Sequence, residues 1–281
     1  VSDDHQHHGD TAAGGPLMRQ CPGLWIAAVA AACATAHAQG SAIAYEASLG
    51  VTHRTLTERS ATGATLLTER GWLPQVRGSM GKTLSSGGAL AGSLTLSGGD
   101  IDYHGQTQAG APLSTITRQT ELAADVLWRP LAPAAWGQAW LTGQLLANRR
   151  SIESTPAAGG LDETSTALLL GARWASPSFA AGTWQAHVEA DARVSVWHRL
   201  EVDYRGLLDP SDFEGARKHQ WALRLAGAKV ESPWGWELEA ARLMQGASDA
   251  VSVFRAGSLF GTVRQPALTI EDLTLRISRR F

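Results

Sequence analysis

Asp100 and Asp102 stand two positions apart in the segment Gly98-Gly99-Asp100-Ile101-Asp102-Tyr103-His104. On an extended chain, residues two apart share one face. The pair can therefore hold or activate a water, one carboxylate ionised and the other with its pKa raised by its neighbour. Further on, the segment Val196-Trp197-His198-Arg199-Leu200-Glu201-Val202-Asp203-Tyr204 contains an imidazole, His198, and a carboxylate, Asp203. The alternative is a solvated Asp-x-Asp on a strand extension, a pattern common in turns and surface loops. Other chemistries find no carrier. There is no Gly-x-Ser-x-Gly elbow, no phosphate loop and no Cys/His spacing suited to a metal, so no cofactor and no metal is expected.

The start of the chain bears on what remains for chemistry. Residues 1–17 are polar and patternless, and read as a disordered extension in which His5, His7 and His8 are the one metal-binding alternative. Met18, Arg19, the apolar run Leu24–Ala34 and Ala36-His37-Ala38 form a signal-peptide pattern over 18–38, with cleavage expected before Gln39. A lipoprotein anchor on Cys33 is the alternative. Both cysteines, Cys21 and Cys33, fall in the part to be removed, so 39–281 has no thiol chemistry. The whole chain carries 24 basic and 26 acidic residues, and removal of Asp3, Asp4, Asp10 and Arg19 leaves 23 of each. Such a balance gives nucleic acid no basic surface to bind.

Between Gln39 and Phe281 no apolar run is long enough for a membrane helix; alternating segments recur instead. Strands are expected near 42–55, 68–83, 89–104, 116–129, 137–150, 163–175, 182–200, 216–231, 235–246 and 268–281, about ten in all. In Thr183–Val196 the even positions are Trp184, Ala186, Val188, Ala190, Ala192, Val194 and Val196, while Gln185, His187, Glu189, Asp191, Arg193 and Ser195 fill the odd ones. That period of two marks a strand with one apolar face, and its length suits a tilted membrane crossing. Short links carrying turn residues alternate with longer ones near 56–67, 105–115, 151–162, 201–215 and 247–267. Tryptophans cluster at strand ends, as in interfacial girdles. The expected fold is all-β: an antiparallel, up-and-down transmembrane barrel preceded by a signal-peptide helix.

The closing segment, Leu268 to Phe281, alternates to a terminal aromatic and resembles the last strand of Gram-negative outer-membrane barrels. That resemblance implies export to the outer membrane, contact with its lipid, and recognition by the barrel-assembly machinery through this strand, with both termini periplasmic and the chain a monomer. With about ten strands and Asp100-x-Asp102 at the outer end of the third, the chain also resembles the omptins, surface proteases of the outer membrane. The omptin resemblance implies that Asp100 and Asp102 form one half of a protease site and His198 and Asp203 the other. The family's Asp-x-His spacing is absent from the second segment. Moreover, Asp100 and Asp102 share the parity of Leu94 and Leu96, so they point away from the lumen unless Gly98-Gly99 makes a bulge.

With the polar face inward, Arg77, Arg129, Arg150, Arg193, Arg224 and Arg276 enter the lumen. Glu121, Asp125, Glu189, Asp191, Glu237 and Glu239 face them. Ten strands enclose too little space for a wide aqueous channel. An ion-pair network filling the interior is expected, with the loops left for binding or adhesion. An omptin-like endopeptidase and a narrow, porin-like channel for a small charged solute are the alternatives.

Overall fold

The computed structural model describes residues 43–106, 110–214 and 216–281. The expected extension 1–17 and signal segment 18–38 lie outside them. The strands are β1 (Ile43–Arg59), β2 (Thr65–Thr83), β3 (Ala89–Gln106), β4 (Pro112–Arg129), β5 (Gln138–Ile152), β6 (Leu161–Ala175), β7 (Phe179–Ala181), β8 (Trp184–Asp203), β9 (Ser211–Glu214), β10 (Lys218–Lys229), β11 (Trp234–Gln245), β12 (Val251–Arg255), β13 (Ser258–Val263) and β14 (Ala267–Arg280).

Ten of these strands close on themselves in the order β1-β2-β3-β4-β5-β6-β8-β10-β11-β14, every neighbour antiparallel, with β14 returning to β1. The closing seam runs without a slip from Glu46 opposite Arg280 to Arg59 opposite Ala267. Phe281 adds one more bond, its N–H donating to the Tyr45 carbonyl at 3.0 Å. A closed sheet has no edge, so each strand's main-chain donors and acceptors find partners within the wall, as a strand crossing hydrocarbon requires.

Four small strands, β7, β9, β12 and β13, stand outside this ring; β7 and β9 add to β8, and β12 and β13 pair with each other. Two links expected to be long are mostly strand. β1 continues to Arg59 before β2 begins at Thr65, and β3 continues to Gln106 before β4 begins at Pro112. β3 has 18 residues, a length of about 60 Å at 3.3 Å per residue. Tilted by roughly 40°, it rises about 45 Å, well beyond an apolar band of about 25 Å. The surplus stands on the side opposite the turns at 84–88, 130–137 and 230–233, and is called the rim below.

The two faces of the wall trade roles along this height. Across the band the outside is apolar: Leu94 and Leu96 on β3, Val194 and Val196 on β8, and Leu273, Leu275 and Ile277 on β14 are all exposed. Exposure of so much apolar surface to water would exceed what soluble monomers tolerate; hydrocarbon accepts it. Toward the rim the pattern inverts. Leu56, Leu67, Tyr103 and Ile152 pack together inside the barrel, and Leu200, Val202 and Phe213 form a second inner cluster. Outside them stand Asp100, Asp102, Arg118, Arg199 and Asp212. The lower wall has its apolar face in lipid, and the upper wall has its apolar face in a core of its own.

Candidate functional site

Strand β3 pairs with β4 through Gly98 opposite Thr120 and Gly99 opposite Gln119 with no slip in register. The two glycines therefore make no bulge, and parity carries Asp100 and Asp102 to the outer face. Asp100 accepts a hydrogen bond from Arg118 Nε at 3.0 Å, both side chains more than half exposed. Asp102 is exposed beside it, while Ile101 and Tyr103 turn inward.

Strand β8 behaves differently. Leu168 lies opposite Trp197 and Leu169 opposite Ser195, so Val196 is an extra residue. The bulge leaves Val196 and Trp197 both outside and shifts the phase of everything after them. His198, Leu200 and Val202 consequently turn inward, and Asp203 turns outward. Asp203 accepts a hydrogen bond from the Arg205 backbone N–H at 2.8 Å. Of the four residues considered for a protease site, three stand on the outer surface and only His198 is inside. No water could touch all four.

The inside holds two layers of charge. The lower layer is one connected series of five guanidinium and five carboxylate groups: Asp125, Arg193, Asp191, Arg173, Glu189, Arg224, Glu239, Arg276, Glu237 and Arg77. Its links include Arg193 to Asp125 at 2.6 Å, Arg193 to Asp191 at 2.7 Å and Arg173 to Asp191 at 2.9 Å. It joins β2, β4, β6, β8, β10, β11 and β14 across the lumen. Two glycines on the inner face make room for it. A Cβ at Gly171 would lie 2.8 Å from Arg193 Cγ, and one at Gly50 would lie 2.8 Å from Arg276 Cγ. Each glycine is the direct cross-strand partner of the arginine whose stem it admits. Below this layer, Arg129 donates to Gln138 and lies over the Trp140 ring.

The upper layer is built on two arginines that reach across the lumen. Arg54 binds Asp272 through Nε at 2.9 Å and Nη2 at 2.7 Å, and also donates to Glu121 and Gln119. Arg150 binds Glu69 at 2.7 Å, Glu163 at 2.7 Å and Glu58 at 3.0 Å. Glu69, fully buried, further accepts from Thr117 at 2.7 Å and Gln119 at 3.0 Å. Gln75 links the layers, donating to Thr52 at 2.7 Å and accepting from Arg276 at 3.0 Å.

No protein-family model matches the chain, and no curated protein does. Among solved structures, the outer membrane protease OmpT from Escherichia coli superposes with a TM-score of 0.50 at 11% identity, covering 88% of this chain and 99% of that one. The translocator domain of the autotransporter NalP from Neisseria meningitidis superposes with a TM-score of 0.44 at 11% identity, covering 92% of this chain and 94% of that one. This is an outer-membrane barrel fold. At 11% identity the likeness to OmpT is one of fold, and this chain does not bring Asp100, Asp102, His198 and Asp203 together.

In this barrel the twelve lumen residues expected from parity all line the interior or its ion pairs, but the parity argument stopped short of others. Arg54 shares the inward row of Thr52, Glu69 that of Gln75 and Arg77, and Lys218 that of Arg224. Extending each row to the strand's full length would have found them. Among the described residues no group of three or more His, Cys, Asp or Glu side chains is placed to hold a metal ion.

Proposed function

We propose that this chain is an integral outer-membrane protein of a Gram-negative bacterium whose lumen is filled rather than conducting and whose rim serves recognition at the cell surface. The observation that carries the reading is the lower layer of ten linked charges, which crosses the lumen at the level of the lipid-facing rows. A charged solute passing through would have to break several guanidinium–carboxylate pairs at once, and each broken pair leaves a buried charge unanswered.

The rim is built to hold a fixed surface. Ala256 and Gly257 both take positive φ, at 49° and 76°, in the turn between β12 and β13, the conformation of the hairpin turn that suits strand twist. The Asp209 carboxylate accepts from both of their N–H groups, at 3.2 and 2.9 Å. Arg255 Nε donates to the Leu207 carbonyl at 3.1 Å. Leu207, Leu259 and Phe260 stand exposed on this clamped tip. A rigid loop bearing apolar side chains can bind with little ordering cost.

The second reading is a surface protease, favoured by the fold shared with OmpT. Incubation of the refolded barrel and of intact cells with a broad peptide library separates the two. The recognition reading expects no cleavage, with Asp102→Ala indistinguishable from the parent. Cleavage that disappears in Asp102→Ala would establish the protease instead.

A further inference from the structure

The upper charge layer leaves one arc of the lumen wall without partners. Arg54 and Arg150 tie residues of β14, β1, β2, β4, β5 and β6 to one another. The remaining arc, β8-β10-β11, presents His198, Lys218 and Gln245, none more than 6% exposed. Neither ring nitrogen of His198 meets a side-chain partner, though the Ala216 backbone lies within reach of the ring, and Gln245 Oε1 meets none. Among the described residues the Lys218 amine forms no close ion pair and feels Glu121 and Glu163 from a distance, while its backbone N–H donates to Ser195 Oγ at 2.8 Å. These side chains, with Glu121 and Glu163, line part of a void of about 150 Å³ that runs down the lumen to Arg173, Arg224 and Arg276 of the lower layer.

A buried imidazole without a partner is costly, and so is a buried amine whose nearest carboxylates, Glu121 and Glu163, are already held by Arg54 and Arg150. The two stand in a lumen where the neighbouring arginines are each met by two or three carboxylates. Such a defect persists where something from outside completes it, and breaches of local consistency collect at functional positions.

The missing partner can be specified by its chemistry. Lys218 offers only donors, and a neutral His198 offers one; side by side at the ends of neighbouring strands, they suit the two oxygens of a carboxylate. On the other side of the void the balance is reversed, since Glu58, Glu121, Glu163 and Asp272 share Arg54, Arg150 and the more distant Lys218 amine. That wall has acceptor capacity and negative charge to spare, which suits an ammonium group. Only part of that void lies at this level, so it admits a molecule of a few carbons, smaller than the benzene that roughly 150 Å³ would hold.

We propose that the rim half of the lumen binds a small zwitterion of the amino-acid class, its carboxylate against Lys218 and His198 and its ammonium toward Glu121 and Glu163. The void is bounded by Leu56, Leu200, Leu268 and Ile270 on the rim side and by Arg77, Arg173, Arg224 and Arg276 of the lower charge layer, so the site is a receptor pocket and not a stage of a channel. It stands apart from the recognition reading, because it uses none of the exposed loop residues.

Calorimetric titration of the refolded full barrel with L-serine, L-threonine, acetate and ethylammonium tests this. L-serine and L-threonine are expected to saturate the site at millimolar or lower concentration. Acetate and ethylammonium, each keeping one charged contact of two, are expected to bind at least about tenfold more weakly. Lys218→Met keeps the stem and removes the charge. It is expected to weaken amino-acid binding roughly tenfold or more while shifting the urea midpoint of the ligand-free barrel upward, because a buried charge without a close partner has gone. Absence of saturable binding by both amino acids overturns the proposal, as does acetate binding as tightly as L-serine. Undiminished binding in Lys218→Met overturns it too. A lowered urea midpoint in that variant would mark Lys218 as a structural contact and also sink the idea.

Discussion

Glu69 and Asp102 are both acidic residues on neighbouring strands, and the barrel treats them oppositely. Glu69 is fully buried and accepts hydrogen bonds from Arg150, Thr117 and Gln119. Asp102 lies in water on the outer face. Replacing Glu69 by alanine leaves Arg150 partly unanswered within the lumen, a loss of about 3–5 kcal/mol by analogy with other broken buried pairs. Asp102→Ala should stay within about 0.5 kcal/mol of the parent, as exposed substitutions away from such networks do. Urea unfolding in lipid vesicles measures both. Comparable losses for the two would show that Asp102 carries structural weight that its exposure does not suggest.

At the scale of the element, β8 is decided by one extra residue. Val196 and Trp197 are both outside, so deletion of Val196 leaves a regular strand with His198, Leu200 and Val202 still inward. Deletion of Ala192 cannot be absorbed so simply. To restore alignment above the bulge, Arg193 would have to turn to the lipid face, at about 2–4 kcal/mol near the midplane, and leave Asp125 and Asp191 behind. The Val196 deletion should refold to a heat-modifiable barrel on unboiled gels, and the Ala192 deletion should fail to. The reverse result would mean that the bulge at Val196 does not set the phase of this strand.

The same strand shows how far the sequence can be read. Its lower alternation, from Trp184 to Val196, is legible because lipid outside and charge inside give opposite residue types. The bulge left only a faint signal, two apolar residues in succession. Above it Arg199, Glu201 and Asp203 are outside in water and Leu200 and Val202 are inside, so the polar and apolar rows exchange faces as the strand leaves the membrane. A reading that keeps the apolar row outward misassigns His198 for that reason. On β3 no bulge intervenes, and the parity of Asp100 and Asp102 with Leu94 and Leu96 places them outside correctly. Strand ends were underestimated where the exchange occurs, as at Leu56 to Arg59 and Pro112 to Thr115. Lys218 and Gln245 become visible as a pair only once the register of the β10–β11 hairpin is set.

For the whole molecule, the exchange of faces predicts two environments on one outer surface. The chain has cysteines only at 21 and 33, so with both replaced by serine, single cysteines placed in 43–281 report their own positions. Leu94→Cys should resist a membrane-impermeant maleimide on intact cells and react after detergent extraction. Asp102→Cys should react on intact cells, because the proposed orientation puts it above the band on the cell's outer side. Protection at residue 102 on intact cells would place the rim in the periplasm and reverse the orientation.

The account rests most heavily on the closed lumen, and electrical recording tests that directly. A purified, refolded barrel in a planar lipid bilayer should show no large steady conductance, because the series from Asp125 to Arg77 spans the interior with five charges of each sign. Stable, stepwise openings in the unmodified protein would contradict it and make the lumen a channel.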